Sequence, residues 1–322
     1  MTMEAAAMVR RTLAELVTAR TGADLVAGLD DFGWVDLFDD DPGLAVQSLF
    51  VELGRRGKWS PAFQDAAGRT LPGGIVGRTV VLPRPRRASS ASRDGDGFLV
   101  DGFAIGVRPG NDSYVLLVGS SDVDWVVEVP AYCLEVAARA GLADQLGTVQ
   151  VTGRVGEADS LFPDPEAARS WWGDTQATLR LALCSYIAGG LRGMFELARD
   201  HAAEREQFGR RVGTFQAVRH KLAEAYVAVE ALDAASAAAW DAGERPLAAA
   251  TTKLVASRSV STVAAHSQQV LAGVGFTAEH PFHRLLKPVV MCDRLLGSAP
   301  ELAIEVGRCM VERGEAPRLV EL

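Results

Sequence analysis

The stretch Arg205-Glu-Gln-Phe-Gly209, followed shortly by Phe215-Gln-Ala-Val-Arg-His220, is the most informative part of this sequence. Two further segments share its character, Gln269-Val-Leu-Ala-Gly-Val-Gly275 and Asp293-Arg-Leu-Leu-Gly-Ser298. Each lies at a helix boundary or a glycine-rich turn between long runs with helical apolar spacing. Such turns can bring backbone N–H groups and an arginine side chain to an anionic group such as a diphosphate.

The apolar spacing around these segments predicts four long helices. Asp174 or Thr175 is the predicted cap of the first, and Thr214 that of the second. Ser298 and Glu301 form a capping-box pattern at the start of the fourth. The predicted helices cover about residues 174–203, 215–242, 247–271 and 298 onward. Four amphipathic helices with short links favour a four-helix bundle.

The first half of the chain has a different pattern. Residues 3–20 and 42–57 have helical apolar spacing, whereas residues 73–155 contain short alternating Val- and Gly-rich runs that predict a small antiparallel β-domain. The fold class is therefore α+β. The predicted domains are a shortened N-terminal helical domain (1–72), a middle β-barrel-like domain (73–160) and a C-terminal four-helix bundle (161–322).

Composition excludes several classes of function. The formal net charge of the 322 residues is -8 without a block of like charge, so nucleic-acid binding is not expected. The four cysteines are too widely spaced for a zinc site or a disulfide framework. No signal peptide and no apolar run of the ~20 residues that a membrane span needs is evident, which predicts a cytoplasmic protein.

The C-terminal segments resemble the acyl-CoA dehydrogenase family. Its pattern is Arg-x-x-Phe-Gly, Phe-Gln-Ala, Gln-x-x-Gly-Gly-x-Gly and a final Glu-Gly-Thr or Glu-Gly-Ser. Here the order and spacing are kept, but Ala272 replaces one glycine and Leu296 replaces the glutamate. Residues 94–102 resemble a hairpin of the family's middle domain. The Thr-Glu-Pro segment that contacts the flavin ring in the family has no counterpart.

The resemblance implies that the chain lacks its own catalytic base. The family places a carboxylate either before the final Gly-Thr/Ser, here Leu296, or just before an arginine on the first bundle helix, here Leu179. Leucine cannot accept a proton. Glu301 or Asp293 could replace the base, although both also fit cap and turn positions. Lys253 matches a family lysine and is expected at an interface or on the surface.

The cofactor-contact residues are better preserved. In the family, the corresponding segments reach across a dimer interface and contact the diphosphate and adenine of FAD held mainly by the other subunit. The residues that the resemblance assigns to FAD are Arg205, Gln207, Phe208, Gln216, Gln269, Ala272 and Gly273. Without the resemblance, Arg205 and Gln207 could be solvated residues at a helix end, and Gln269 could lie in an ordinary helix C-terminus.

These observations predict a subunit of an FAD-dependent acyl-CoA dehydrogenase that converts a CoA thioester to its α,β-enoyl form, with a steroid-derived thioester as one candidate substrate. A homologous subunit carrying the glutamate would be its partner in an α2β2 heterotetramer. An electron-transfer flavoprotein is a further candidate partner. Two alternatives stay open: a self-sufficient homodimeric flavoenzyme with a relocated base, and a non-catalytic structural subunit.

Overall fold

The structure is a computed structural model that describes residues 2–108, 110–138, 146–277 and 279–314. It divides into two compact units. The helical unit comprises the described residues of Met1–Lys58, Leu181–Arg294 and Ser298–Leu322. The strand unit comprises those of Trp59–Arg180 and Leu295–Gly297. The division into domains at residues 72 and 160 stays a prediction.

The helices, in chain order, are α1 (Met3–Ala19), α2 (Gly22–Phe32), α3 (Trp34–Asp40), α4 (Pro42–Arg56), α5 (Ala62–Gly68), α6 (Pro165–Glu204), α7 (Gln216–Asp241), α8 (Arg245–Leu271), α9 (Phe282–Arg294) and α10 (Ala299–Arg313). The strands are β1 (Arg78–Pro83), β2 (Ala91–Asp94), β3 (Gly97–Ile105), β4 (Ser113–Val118), β5 (Trp125–Pro130), β6 (Glu135–Ala138), β7 (Thr148–Val155), β8 (Glu206–Gln207) and β9 (Arg210–Arg211). Across the described ranges, no helix is long and apolar enough to cross a bilayer.

Two of the N-terminal helices begin and end as the sequence predicts. The Thr2 side chain accepts a hydrogen bond from Ala5 N at the start of α1. At the start of α4, Asp41 Oδ1 accepts from Leu44 N at 2.9 Å, and Gly57 ends the helix with φ 61°. Helices α2, α3, α5 and α9 are additional to those predicted, because short helices leave too few turns for a clear apolar period.

The bundle helices are confirmed, with corrections at their starts. Asp164 Oδ1 accepts from Ala167 N at 2.9 Å, so the 40-residue α6 starts at Pro165, and Asp174 and Thr175 lie inside it rather than capping it. No side-chain hydrogen bond caps α7, since the Thr214 hydroxyl donates to Arg211 O instead. The predicted capping box at the start of α10 is present.

Helices α4 and α6 approach each other through glycines. A Cβ placed on Gly54 would lie 1.9 Å from Tyr186 O, and one on Gly189 would lie 1.9 Å from Val51 O. Neither position can carry a side chain at this separation, because the backbones themselves are in contact. This close crossing joins an N-terminal helix to the first helix of the bundle within the helical unit.

The strand unit contains a mixed sheet rather than the antiparallel one predicted. The strand order is β1-β4-β2-β3-β7-β6, and β5 pairs with β4. Strand β1 runs parallel to β4, and β2 meets β4 in parallel at Ala91 and Val118. The other pairings are antiparallel, including the hairpin in which Asp94 pairs with Gly97 around Gly95 at φ 61°. The apolar core includes Val81, Leu116, Val127 and Val151.

Candidate functional site

The Arg205 segment forms a tight hairpin directly after α6. Strand β8 pairs with β9, with Glu206 opposite Arg211 and Gln207 opposite Arg210. Phe208 and Gly209 connect the strands with φ 54° and 74°. Positive φ at both positions is typical of a type I′ turn, whose twist suits a two-residue hairpin. A phenylalanine in this region is strained, and such strain is concentrated at functional sites.

The side chains of this hairpin face solvent. Phe208 is 91% exposed, and its ring meets that of Phe215 edge-on, with centroids 6.3 Å apart. The Arg210 guanidinium lies 4.1 Å from the Phe215 centroid. Arg205 and Gln207 are exposed too. Among the residues that the structure describes, none forms a hydrogen bond or ion pair with the Arg205 guanidinium. Its planar donors are therefore available to an anion.

The glycine-containing segment after α8 is a second strained turn. Ala272 adopts φ 52° and ψ -134°, a conformation that glycine adopts far more readily. This explains why the replaced family residue is a glycine. A Cβ on Gly275 would lie 2.6 Å from Gln268 Nε2, whereas one on Gly273 would meet nothing within 4 Å. Gln269, Ala272 and Gly273 are all exposed.

The antiparallel packing of α7 on α8 places these segments at one end of the helix pair. Three side chain–backbone contacts succeed one another at seven-residue intervals along both helices: Thr252 with Ala235, Ser259 with Ala228, and His266 with Lys221. Extending that register brings Gln216, the first residue of α7, opposite the end of α8 at Leu271. Gln216 follows the hairpin and Leu271 precedes the Ala272 turn, so the three segments share this end of the helical unit.

The histidines near this end favour their neutral form. Burial lowers the pKa of His201, and the charge of Arg205 lowers it further, although Glu204 acts in the opposite direction. Burial also lowers the pKa of His280, followed by the effects of His201 and His283. Burial is the largest cause at both histidines, so these shifts report a partly desolvated end of the helical unit.

The two candidate base positions meet at one arginine in the strand unit. Leu179 is fully buried on α6, and the neighbouring Arg180 is only 3% exposed. Arg180 Nε donates to Leu296 O at 2.9 Å. Leu296 and Gly297 have φ 56° and 115°. A sharp turn is therefore present at this position, although the residue there is a leucine. The arrangement holds the turn in place but offers no proton acceptor at either position.

Neither replacement for the base is available as an unengaged carboxylate. Glu301 accepts from Ser298 N at 2.8 Å and from the Ser298 hydroxyl in the capping box. The Asp293 carboxylate accepts from the Ser257 hydroxyl, and Lys253 Nζ donates to Asp293 O at 2.7 Å. Lys253 itself is fully buried, so its predicted place at an interface or on the surface is wrong. It binds the end of α9.

Comparisons with known proteins identify the family. The family model "Acyl-CoA dehydrogenase, C-terminal domain" matches residues 175–298. Acyl-CoA dehydrogenase IpdE2 of Mycobacterium tuberculosis is 32% identical over 314 residues, which cover 92% of this chain and 94% of IpdE2. This chain belongs to the acyl-CoA dehydrogenase family. The predicted family, α+β fold class and FAD dependence are confirmed.

Solved structures share the fold over nearly the whole chain. The ChsE4-ChsE5 complex from Mycobacterium tuberculosis aligns with a TM-score of 0.77 at 22% identity, covering 99% of both chains. The "Tcur3481-Tcur3483 steroid ACAD G363A variant" aligns with a TM-score of 0.75 at 23% identity, covering 97% of this chain and 99% of that one. At these identities the likeness shows the acyl-CoA dehydrogenase fold alone.

The residues of this family member fit the nucleotide end of FAD. Arg205 presents planar charged donors, Phe208 an exposed ring, and the Ala272–Gly273 backbone an open face. Sequence reasoning missed Arg210, which stacks on Phe215 and adds a further cation beside Arg205 and Arg211. The available signal was the pair of consecutive arginines, Arg210 and Arg211, directly after the Phe-Gly turn. Sequence reasoning also missed that Phe208 and Ala272 are left-handed, which only the backbone reveals.

Proposed function

We propose that this chain is one subunit of a heteromeric FAD-dependent acyl-CoA dehydrogenase that oxidises a CoA thioester to the α,β-enoyl-CoA. A homologous subunit carries the glutamate base and holds most of the FAD. The observation that carries the proposal is the contrast between two sets of residues. The nucleotide-contact segments are present and exposed, whereas both base positions around Arg180 are leucines.

Dehydrogenation requires a base for the α-proton and an acceptor for the β-hydride. FAD, when bound, supplies the hydride acceptor. Leu179 and Leu296 cannot take the proton, so the base comes from the partner. In this chain, Arg205 would pair with the diphosphate through its fork of N–H donors. Phe208 would pack beside the adenosine, and Gln207, Gln216 and Gln269 would form amide hydrogen bonds with the nucleotide.

The turn at Ala272 and Gly273 contributes its backbone. Small side chains at both positions let the main chain approach the nucleotide closely. The exposed Phe208 and Phe276 (91% and 73% exposed) leave apolar area that a partner subunit would cover.

Four free cysteines fit a reducing compartment, and we place the protein in the cytoplasm. An electron-transfer flavoprotein is the proposed acceptor of the electrons.

Two similarities favour a heteromer and a steroid-derived substrate. The ChsE4-ChsE5 and Tcur3481-Tcur3483 structures are each named for two chains, and the second is described as a steroid acyl-CoA dehydrogenase. We extend both properties to this chain as proposals. The proposed substrate class is tested by comparing the turnover of steroid side-chain CoA thioesters with that of linear acyl-CoA substrates. Faster turnover of the linear substrates would contradict a steroid-derived substrate.

The cofactor role is tested with Arg205→Ala in the complex co-purified with its partner subunit. Loss of a charge-assisted hydrogen-bonding side chain, worth about 1.5–3 kcal/mol, should weaken FAD binding by roughly 10- to 150-fold. Arg199→Ala is the matched control, because Arg199 is an exposed arginine near the same end of α6 whose guanidinium pairs, among the residues that the structure describes, only with the adjacent Asp200. Unchanged flavin content and activity in Arg205→Ala would favour the structural-subunit alternative.

The stoichiometry of FAD separates the proposal from the homodimer alternative. We expect one FAD per pair of unlike chains, measured by flavin absorbance and quantitative amino-acid analysis. The chain purified alone should be colourless. Yellow protein that bleaches on addition of an acyl-CoA would instead establish a self-sufficient enzyme with a relocated base.

A further inference from the structure

One face of the β8–β9 hairpin carries two arginines. Strand pairing places Gln207 opposite Arg210, and Val212 N donates to Arg205 O at 2.8 Å, which continues the pairing as far as Arg205. In an antiparallel pair, side chains directly opposite one another project from the same face, and so do alternate side chains of one strand. Arg205, Gln207 and Arg210 therefore share one face, and two of these three are residues already assigned to FAD.

The two faces of the hairpin differ in charge. Arg211 lies opposite Glu206, and the alternation puts both of these side chains on the other face, where an acid accompanies the base. Within the described part of the chain, neither Arg205 nor Arg210 forms an ion pair or a hydrogen bond through its guanidinium. Two like charges at diagonal positions repel each other. A bound anion would remove that repulsion.

The Arg210 guanidinium is held in position by an aromatic ring. It lies 4.1 Å from the centroid of Phe215, and the Phe215 ring also meets the Phe208 ring at 6.3 Å. A guanidinium over a ring gains cation–π attraction, while its N–H donors stay available to an anion. Stacking also restricts a side chain that is otherwise exposed. Less conformational entropy is therefore lost when Arg210 binds a ligand.

We propose that Arg210 is a second cation of the diphosphate site, acting beside Arg205 on the same face of the hairpin and selecting a diphosphate over a single phosphate. This inference rests on the proposed function, in which the hairpin contacts the nucleotide end of FAD. A diphosphate linkage carries two negative charges, and each guanidinium pairs with one of them. A ligand with a single phosphate group presents fewer oxygens and cannot engage both arginines as fully.

The test measures nucleotide binding to the complex with its partner subunit after removal of the flavin. Quenching of flavin fluorescence gives the Kd of FAD, and ADP and AMP are measured as competitors. Arg210→Met removes the charge and the donors but keeps an apolar chain over Phe215, and Arg210→Lys keeps the charge. Arg211→Met is the matched control, because it makes the same change at the next residue on the opposite face. Arg205→Ala is measured alongside, and near-ultraviolet circular dichroism verifies that each variant is folded.

We expect Arg210→Met to raise the Kd of FAD and of ADP by roughly tenfold and that of AMP by clearly less. Its FAD affinity should also depend less steeply on added NaCl, since one screened charge contact is gone. Arg210→Lys should recover part of the affinity, and Arg211→Met should match the wild type.

Two results would overturn the role of Arg210. One is a Kd of FAD in Arg210→Met equal to that in Arg211→Met while Arg205→Ala binds more weakly, which would leave the proposed function intact. The other is an equal loss of affinity for ADP and AMP, which would show that Arg210 does not select the diphosphate. Unchanged FAD binding in both Arg205→Ala and Arg210→Met would remove the proposed function as well.

Discussion

Lys253 offers the sharpest test of how the end of α9 is held against α8. Its side chain is fully buried on α8, and Nζ lies 2.7 Å from Asp293 O and 3.8 Å from Asp293 Oδ1. Lys253→Met keeps the length and the apolar stem but removes the charge. Breaking a buried pair by removing one partner costs about 3–5 kcal/mol. The Asp293 side chain is 20% exposed, and it keeps its bond from Ser257.

Because the Asp293 carboxylate is partly exposed and keeps one hydrogen bond, Lys253→Met should lower the free energy of unfolding by about 2–4 kcal/mol, at or below the lower end of that range. Calorimetry and urea unfolding of the folded complex measure it. Ser257→Ala, which removes one neutral donor to the same carboxylate, should cost only about 1 kcal/mol. The double variant Lys253→Met with Asp293→Asn should be destabilised by less than the sum of its parts, because both changes remove the same interaction. A neutral or stabilising Lys253→Met would refute the reasoning, since the pair would then contribute nothing.

Four further predictions follow from the structure. Gly54→Ala places a Cβ 1.9 Å from Tyr186 O and should cost at least about 1–3 kcal/mol. Gly307→Ala, on an open face of α10, should stabilise the protein by about 0.5–1 kcal/mol. A Tm equal to that of the wild type would contradict the prediction for either glycine variant. Leu296→Glu should leave the isolated chain unable to reduce flavin with acyl-CoA, because the flavin-ring segment is missing; a gain of activity would show a complete site. The pKa of His280 is lowered from 6.5, so the unfolded chain binds its proton first and stability should fall as pH drops below 6.5. His280→Gln should flatten that part of a Tm–pH profile, and an unaltered slope would assign the fall to other groups.

Local signals in the sequence were sufficient for much of the fold. The capping box at Ser298 and Glu301 spans one helical turn and therefore appears directly in the sequence. The start of α6 was missed because the apolar stripe before Leu179 is irregular. The Asp164–Pro165 pair, a cap followed by proline at the first helical position, was the available signal.

Contacts between distant residues could not be read in the same way. The parallel pairing of β1 with β4 joins segments more than thirty residues apart along the chain, and alternation alone does not distinguish it from an antiparallel pairing. The burial of Lys253 depends on α9 lying beside α8, which nothing in the local sequence of α8 indicates. Lysine is almost never fully buried unless paired, so the surface prediction followed the general rule and failed on a specific partner.

The same distinction between local signals and contacts of distant residues applies to the candidate site. Motif spacing predicted Arg205, Gln216 and Gln269 as cofactor contacts, which stays a prediction. The register of α7 on α8 explains why segments so far apart along the chain share one end of the helical unit. The strain at Phe208 and Ala272 is a backbone property, which a residue name does not disclose. The substitution of leucine at both base positions was visible in the sequence, whereas the survival of the turn beneath Arg180 was not.

The reciprocal glycines of α4 and α6 constrain how this chain can change over evolutionary time. Because each faces a carbonyl oxygen of the other helix, a single methyl group at Gly54 or Gly189 forces the two axes to separate. Relatives with a larger residue at one position should therefore show a compensating shift of the whole opposite helix, rather than a local repacking. Variation at these two sites should be correlated, and changes there should report the spacing of the helices rather than the chemistry of the enzyme.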